Sequence, residues 1–171
     1  MKRLYIVRHG AAQSSYEAGS DFARRLTPQG IARVQAVSRW LQAQPDTVAP
    51  QRIVASAAPR AWETATIYAE TFALPDSTLA KVKELYSGGA NDYLNFLTRS
   101  LPDDISCAMV VGHNPAVSEL LAAVTGALAG EYRMRKGDAA CVIFDVPDEA
   151  PWEEVYAVDG KLKRYVIASA I

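Results

Sequence analysis

The sequence predicts an α/β protein: a three-layer α/β/α sandwich with a mostly parallel central sheet, extended by antiparallel strands from the C-terminal third. Short runs of β-branched residues alternate with segments of helical periodicity, a pattern that favours parallel strands joined by helices. The last third instead holds strand-like runs without a long helical pattern between them. With 171 residues, the chain is expected to form a single domain over residues 1–171.

Two strands and two helices are predicted in the first part of the chain. Arg3 to Val7 is β-branched and aromatic, which is typical of a short buried strand. After a polar stretch, Thr27 offers an N-cap for a helix over residues 28–43, whose apolar positions recur on one face. Arg52 to Ser56 predicts a second strand, and Pro59 opens the second helix.

The middle of the chain continues this alternation of strands and helices. Val82 to Tyr86 is predicted as a short strand, and Asn91 as the cap of a leucine-rich helix. Cys107 to Val111 predicts another buried strand because all its residues are apolar. Pro115 then opens a helix that is expected to end near Gly126.

The C-terminal third is expected to add antiparallel strands to the sheet. Ala140 to Val146 is strand-like, and Asp159-Gly160 lies between two extended runs. An Asp-Gly pair in that setting is the strongest short signal for a two-residue hairpin, so a tight turn is predicted there.

Composition and charge exclude several classes of protein. The chain has 18 Lys and Arg against 19 Asp and Glu, and this balance argues against a nucleic-acid partner. Its apolar runs are too short for a membrane span or a signal peptide, so we expect no membrane partner and a cytoplasmic location. Cys107 and Cys141 match neither a zinc spacing nor a disulfide framework, and are expected to be reduced, buried thiols.

Two histidines and two arginines are predicted to meet at one edge of the sheet. Arg8 and His9 come directly after the first strand, and His113 follows the strand that ends at Val111. Arg60 lies at the start of the helix after the second strand. Because ligands of open α/β sheets bind outside the carboxyl ends of the strands, these side chains mark the expected site.

The residue types at this edge favour a phosphate anion over a metal ion. A metal site would need a further ligand, and nearby arginines would repel the cation. Guanidinium groups match phosphate oxygens and stabilise the charge on a transferring phosphoryl group. Adjacent cations also keep a histidine neutral, so His9 can attack phosphorus and form a phosphoenzyme while His113 stabilises the transferring group. This chemistry requires no metal and no cofactor.

Motifs of other catalytic classes are absent from the sequence. Cys107 is followed six positions later by His113 rather than by an arginine, so there is no cysteine-phosphatase loop. There is also no Walker-type G-x-x-x-x-G-K-[ST] run and no G-x-S-x-G elbow. These competing chemistries are therefore less favoured than a histidine-based reaction.

Four segments between residues 3 and 121 carry motifs in a fixed order. Arg8-His9-Gly10 ends the first strand, and Leu26 to Gly30 reads L-T-P-Q-G. Ser56 to Ala65 reads S-A-A-P-R-A-W-E-T-A, and Gly112 to Pro115 reads G-H-N-P. In this order the motifs resemble the histidine phosphatase superfamily, the phosphoglycerate-mutase-like proteins. One departure is Ala11, where an acidic residue is common in the small members of that family.

The resemblance implies a phosphoglycerate-mutase-like fold and a phosphatase. It implies a phosphate pocket made of His9 as the phosphorylated nucleophile together with Arg8, Arg60 and His113. Ser20 to Arg24 resembles the S-D-x-x-R segment of the small phosphohistidine phosphatases of two-component signalling. In proteins of that type the matching arginine approaches the phosphate, which adds Arg24 to the expected phosphate-binding residues.

Chain length bears on the substrate. Arg60 and His113 are 53 positions apart, and this leaves no residues for the helical cap that larger family members carry there. An open site can admit a phosphorylated side chain, so the first expected partner is a phosphoprotein of the histidine-phosphotransfer type. Glu84 is the best candidate for a general acid, with an exposed structural carboxylate as the alternative reading. A phosphatase of small sugar or nucleotide phosphate esters and a non-catalytic phosphate-binding module remain open.

Overall fold

A six-stranded mixed sheet forms the centre of the computed structural model, which describes residues 1–171. The strand order across the sheet is β3-β2-β4-β1-β5-β6. The strands are β1 (Lys2–Arg8), β2 (Arg52–Ser56), β3 (Leu79–Val82), β4 (Cys107–Gly112), β5 (Ala139–Phe144) and β6 (Lys161–Val166).

Four neighbouring strands of this sheet run parallel, as the alternation of strands and helices predicts. β1 pairs in parallel with β4, and β2 pairs in parallel with both β4 and β3. β5 runs antiparallel to β1 on one side and to β6 on the other. The prediction of a mostly parallel sheet with antiparallel C-terminal strands is therefore confirmed.

Helices cover both faces of the sheet and complete the three predicted layers. α2 and α3 pack on one face, whereas α5 and α6 pack on the other. Short 3₁₀ segments occupy Asp76–Thr78, Trp152–Ala157 and Ala168–Ala170. The α-helices are α1 (Ser15–Ala18), α2 (Pro28–Gln42), α3 (Pro59–Thr71), α4 (Glu84–Ser87), α5 (Ala90–Ser100) and α6 (Ala116–Thr125).

The central strands are apolar throughout because each of their faces packs against helices. In β1, Leu4 and Ile6 belong to the core on the α5 and α6 side, while Tyr5 and Val7 belong to the core under α2 and α3. All four side chains are at most 1% exposed. Burial on both faces is the reason that these parallel strands read as continuous apolar runs rather than alternating ones.

The predicted start of α2 is confirmed in detail. The Thr27 side chain accepts a hydrogen bond from the Gly30 N–H, and Pro28 occupies the first helical position. The Thr27 N–H donates to the Ala11 carbonyl at 3.0 Å. The helix start is thus anchored to the loop that follows β1, two residues beyond His9.

The prediction of a strand over Val82 to Tyr86 is wrong. The strand is β3, which begins at Leu79 and pairs with β2 only as far as Val82. Beyond that point β2 has ended as well, so there is no ladder to continue. The next residues form α4, which buries Leu85 and directs Tyr86 towards the cavity at the sheet edge.

The predictions for the start of α5 and for a tight turn at Asp159-Gly160 are also wrong in detail. α5 begins one residue before Asn91, with Gly89 at its N-cap, because the Asp92 carboxylate accepts the Gly89 N–H at 2.9 Å. Asp159-Gly160 does not form a two-residue hairpin, although β5 and β6 do pair antiparallel. The connection leaves the sheet after β5 because it carries Trp152, whose side chain is 1% exposed, into the core beside α5.

The remaining sequence expectations concern the cysteines and the membrane. Cys107 and Cys141 are free and buried, as predicted. Burial raises the pKa of both thiols. Among the helices, none combines the length and the apolar character needed to cross a lipid bilayer.

Candidate active site

A cavity of about 420 Å³ opens at the carboxyl ends of β1, β2 and β4. The parallel ladder of β1 and β4 pairs Arg8 with Gly112, so the residues that follow these strands emerge side by side. The imidazole rings of His9 and His113 lie with their centroids 5.1 Å apart. The cavity is lined by Arg8, His9, Asp21, Arg24, Arg60, Tyr86, Ser87, His113 and Asn114.

His9 is buried at the floor of this cavity and is held in one tautomer. Its Nδ1 lies 2.7 Å from the Gly10 carbonyl oxygen, which can only accept, so Nδ1 carries the proton. Nε2 therefore keeps its lone pair. Burial lowers the pKa of His9 to about 3, with His113, Arg60 and Arg8 acting in the same direction. The ring is neutral at physiological pH, as a nucleophile requires.

His113 is fixed by contacts from two other elements. Its Nε2 lies 2.7 Å from the Ser56 Oγ at the end of β2, and its backbone N–H donates to the Tyr93 hydroxyl at 3.2 Å. Burial, followed by the charge of Arg60, lowers the pKa of His113 to about 4. Its Nδ1 is buried and has no hydrogen-bond partner. That atom is the one available to a phosphoryl oxygen.

Arg8 and Arg60 reach the cavity from two different elements, the end of β1 and the start of α3. Arg8 donates from Nη1 to the Met134 carbonyl at 3.1 Å, and Arg60 is 5% exposed in the first turn of α3. The Nε atoms of both guanidinium groups are buried without a partner. Because a buried charged donor without a partner is costly, both groups are suited to an anion that enters the cavity.

Arg24 also lines the cavity, so all the predicted phosphate-binding arginines come together there. It is held by its own segment: Nε donates to the Gln13 carbonyl, and Nη1 donates to the Asp21 carboxylate at 3.1 Å. Its side chain is 21% exposed. Arg24 therefore lies nearer the mouth of the cavity than Arg60.

Glu84 is not brought into the cavity. It is exposed at the start of α4 and is not among the lining residues, whereas Tyr86 and Ser87 of the same helix are. The short helix turns Leu85 into the core, and this rotation takes the carboxylate away from the histidines. The sequence expectation for Glu84 depended on a strand that is absent here.

Three residues at the site have roles that sequence reasoning did not find: Ser56, Asp21 and Tyr86. The Asp21 carbonyl accepts from Arg60 Nη1 at 2.7 Å, and its Oδ2 accepts from Arg60 Nη2 at 3.2 Å and from the Tyr86 hydroxyl at 2.6 Å. The one available signal for Asp21 was its place in the S-D-x-x-R segment. Ser56 ends a predicted strand, but nothing local to it indicates a partner 57 positions away.

The position that departs from the family pattern lies outside the phosphate pocket. Ala11 lines a separate cavity of about 650 Å³ together with Arg33 and Lys136. Its carbonyl accepts the Thr27 N–H, so the residue contributes to the anchoring of α2. The hydrogen bonds of His9 to the Gly10 and Gly112 carbonyls do not involve residue 11.

The donor set of the cavity suits an oxyanion rather than a cation. Three guanidinium groups and two neutral imidazoles face it, and the single carboxylate is already engaged by two of the arginines. No group of three His, Cys, Asp or Glu side chains is arranged to hold a metal ion. The arrangement can bind a phosphoryl group and present the lone pair of His9 Nε2 to it.

Comparison with known proteins agrees with this geometry. The model of the histidine phosphatase superfamily (branch 1) matches residues 4–104. The phosphohistidine phosphatase SixA of Escherichia coli strain K12 is 30% identical over 124 residues, which are 70% of this chain and 72% of the relative. A SixA homologue of Haemophilus influenzae is 28% identical over 128 residues, or 72% and 77% of the two chains.

A solved structure shows the same fold. The protein histidine phosphatase SixA complexed with tungstate superposes with a TM-score of 0.78 at 23% sequence identity, covering 98% of each chain. At this identity the likeness shows the fold alone, and it confirms the prediction of a phosphoglycerate-mutase-like architecture. The superposed 98% of this chain includes the C-terminal strands β5 and β6, which lie outside the residues 4–104 that the family model matches.

Proposed function

Because the chain belongs to the histidine phosphatase superfamily (branch 1), we propose that it hydrolyses phosphohistidine in a signalling protein through a phosphoenzyme formed on its own His9. The superfamily and the relationship to SixA make it a phosphatase that works without a metal ion. The relatives from Escherichia coli and Haemophilus influenzae carry the name phosphohistidine phosphatase, which supports the choice of substrate.

The first step of the proposed reaction is attack by His9. Its Nε2 lone pair forms a bond to phosphorus while the bond from phosphorus to the substrate nitrogen breaks, and that electron pair stays on the leaving imidazole. Arg8, Arg24 and Arg60 bind the phosphoryl oxygens, whose charge they stabilise in the transition state. His113 hydrogen-bonds the same group through Nδ1.

The second step returns the enzyme to its starting state. A water molecule attacks phosphorus on the phosphoenzyme, the bond to His9 Nε2 breaks, and inorganic phosphate leaves with the oxygen of water. The hydrogen bond from Nδ1 to the Gly10 carbonyl keeps the ring in the tautomer that can accept the electron pair. His9 is then ready for another cycle.

The single observation that carries the choice of substrate is that no protonated carboxyl group lies among the residues that line the cavity. Its only carboxylate is Asp21, and the Tyr86 hydrogen bond, with help from Arg24 and Arg60, lowers the pKa of Asp21 to about 2. An alkoxide needs a proton from a general acid to leave. An imidazole leaves more readily, so phosphohistidine fits this pocket better than a sugar phosphate does.

The lack of a cap over the cavity supports the same substrate. The residues between Arg60 and His113 form α3, β3, α4, α5 and β4, all of which pack into the sandwich. We propose that the chain is one catalytic domain without a helical cap, so that a phosphorylated side chain on another folded protein can reach His9.

The test is a comparison of substrates. We expect the enzyme to remove phosphate from a phosphorylated histidine-phosphotransfer domain much faster than from a panel of sugar and nucleotide phosphates, with or without a chelator. Rapid turnover of the esters and a stable phosphoprotein would favour the small-ester alternative. Loss of activity with the chelator would contradict the metal-independent reaction.

A quenched reaction tests the intermediate. We expect phosphate from the labelled substrate to appear on the enzyme in an acid-labile, base-stable form, and His9→Asn to abolish that label. Arg99→Gln, an exposed change on α5, serves as the matched control. Label that persists in His9→Asn would contradict the assignment, and a protein that binds phosphate without ever being labelled would be a non-catalytic binding module.

A further inference from the structure

The pocket has a buried end and an open end. His9, Arg60 and His113 are between 4% and 8% exposed, whereas the Asp21 side chain is 52% exposed. Tyr86 lies beside Asp21 and is partly exposed. The nucleophile therefore lies at the floor, and the carboxylate and the tyrosine lie at the mouth.

The geometry of phosphoryl transfer assigns these two ends to different parts of the substrate. Attacking and leaving atoms lie roughly in line on opposite sides of phosphorus. Because His9 attacks from the floor, the leaving group must point towards the mouth. The side chains at the mouth are thus the ones that contact the leaving group.

The mouth combines an aromatic wall with one carboxylate. The Tyr86 ring meets the His113 ring edge-on, with centroids 5.7 Å apart at 82°. The Phe22 ring lies just outside the lining residues, against Tyr86, with centroids 5.0 Å apart at 88°, and Phe22 is 43% exposed. Exposed aromatic side chains next to a fixed negative charge suit a flat, nitrogen-containing ring.

The Asp21 carboxylate has one acceptor position left for a ligand. An ionised carboxylate offers about four lone-pair sites. Oδ2 accepts from Tyr86 and from Arg60, whereas Oδ1 accepts only from Arg24. A further N–H donor can therefore reach Oδ1 without displacing the bonds that hold the residue.

We infer that Asp21, together with the aromatic wall of Phe22 and Tyr86, forms a leaving-group subsite for the imidazole of phosphohistidine. In this subsite Oδ1 accepts a hydrogen bond from the ring nitrogen that is not bonded to phosphorus, in the form of the substrate whose ring has taken up a proton from solvent at that nitrogen. When the phosphorus–nitrogen bond breaks, the electron pair stays on the ring, which departs as neutral imidazole instead of imidazolate. The inference rests on the proposed function, since it names the leaving group of that reaction.

The same charge disfavours other leaving groups. A carboxylate beside a departing alkoxide, phenolate or second phosphate raises the energy of the transition state, because like charges repel. Asp21 cannot relieve this repulsion by donating a proton, since its pKa lies at about 2. The residue thus selects against phosphate esters while it assists a protonated imidazole.

The test uses Asp21→Asn and two small substrates that differ in the charge of the leaving group. For phosphoimidazole at about pH 8 we expect kcat/KM to fall by about 10- to 100-fold, as for loss of a hydrogen bond to a charged group. For p-nitrophenyl phosphate we expect kcat/KM to rise, because a negative charge beside the departing phenolate is removed. The ratio of the two values is the readout.

Two further variants make the experiment specific. Glu84→Gln removes the same charge near the pocket but outside it, and we expect that ratio to stay as in the wild type. Phe22→Leu removes an exposed ring, and we expect the KM of both substrates to rise, because imidazole and p-nitrophenolate are both flat rings that contact this wall. A change in the ratio with Glu84→Gln would mean that long-range charge is the cause, which would overturn the assignment.

Failure of the inference is distinguishable from failure of the proposed function. If Asp21→Asn lowers both kcat/KM values in parallel, Asp21 only supports Arg24 and Arg60, and the leaving-group subsite is wrong. If neither value changes, it is wrong as well. If the wild-type enzyme fails on phosphoimidazole and on the phosphoprotein alike, the proposed function itself is wrong.

Discussion

The two histidines show how single side chains acquire their properties from the folded environment. Each is neutral because burial disfavours the imidazolium, and each is oriented by one acceptor or hydroxyl group, the Gly10 carbonyl for His9 and the Ser56 Oγ for His113. Buried polar groups held in this way are pre-organised for catalysis, since they do not need to reorient when phosphate binds.

The placement of single site residues could be predicted from the sequence where a residue directly follows a strand, because the strand then determines where its side chain lies. His9 and His113 follow adjacent strands, and their meeting was predicted from that placement alone. Asp21 and Tyr86 were missed because their pairing depends on contacts 65 positions apart in the chain. The side-chain roles proposed for the arginines and for Asp21 stay predictions until variants are measured.

At the residue scale, Ser56→Ala tests the orientation of His113. The change removes the hydroxyl that lies 2.7 Å from Nε2 and that also accepts the Ala58 N–H at 3.2 Å. We expect kcat to fall about 10-fold through loss of the bond to His113. The matched control is Ser38→Ala, because Ser38 of α2 is equally buried and bonds Thr71 at the end of α3, outside the cavity lining. Steady-state kinetics that show equal losses in both variants would contradict the positioning role.

The elements of this fold are arranged so that helix starts support the loops that carry the site. α2 begins against the loop after β1, and α3 begins with Arg60 in its first turn. Helix starts were well predicted where Thr27, Pro28 and Pro59 provide cap and first-turn signals. Prediction failed over Val82 to Tyr86, because the end of β3 is set by where its partner β2 stops and not by its own residues.

At the element scale, Gly30→Ala tests how closely α2 approaches the catalytic loop. A Cβ at position 30 would lie 2.1 Å from the Ala11 carbonyl oxygen, so the helix or the loop must shift. We expect the free energy of unfolding to fall by about 3 kcal/mol, which is at the upper end of the usual cost of overpacking. We also expect lower activity, because the loop that must shift adjoins His9. Chemical denaturation and kinetics give the two readouts.

The matched control for this change is Gly89→Ala. Apart from its own chain neighbours, nothing lies within 4 Å of a Cβ built at position 89, which is at the start of α5. We expect its cost to stay below about 1 kcal/mol, the difference between Gly and Ala at an N-cap. Equal destabilisation by both substitutions would show that close approach to Ala11 is not the cause.

For the whole molecule, the free energy of unfolding depends on pH through the two histidines of the site. The chain has two histidines, and both have a pKa in the folded state below the ordinary value of 6.5, at about 3 and about 4. Below pH 6.5 the unfolded chain therefore binds more protons than the folded one. The free energy of unfolding must fall as the pH drops from 6.5 towards 4, since protonation favours the unfolded state.

We expect this linkage to cost about 2 kcal/mol for each histidine at pH 5, or about 4 kcal/mol in total relative to pH 7.5. Urea unfolding at the two pH values measures the difference. The double variant His9→Gln, His113→Gln should lose most of it, because no other side chain has an ordinary pKa within that range. Equal stability of the wild-type protein at both pH values would contradict the buried, neutral state of the histidines.

The separation of the two histidines is set by the hydrogen-bond ladder between β1 and β4. Adjacent strands lie about 4.8 Å apart, which is close to the 5.1 Å between the imidazole centroids. The segments Ser20–Arg24 and Glu84–Ser87 at the mouth belong to connections outside that ladder. Directed evolution can therefore randomise the mouth to change which substrate is accepted, while the distance between His9 and His113 stays fixed by the main chain.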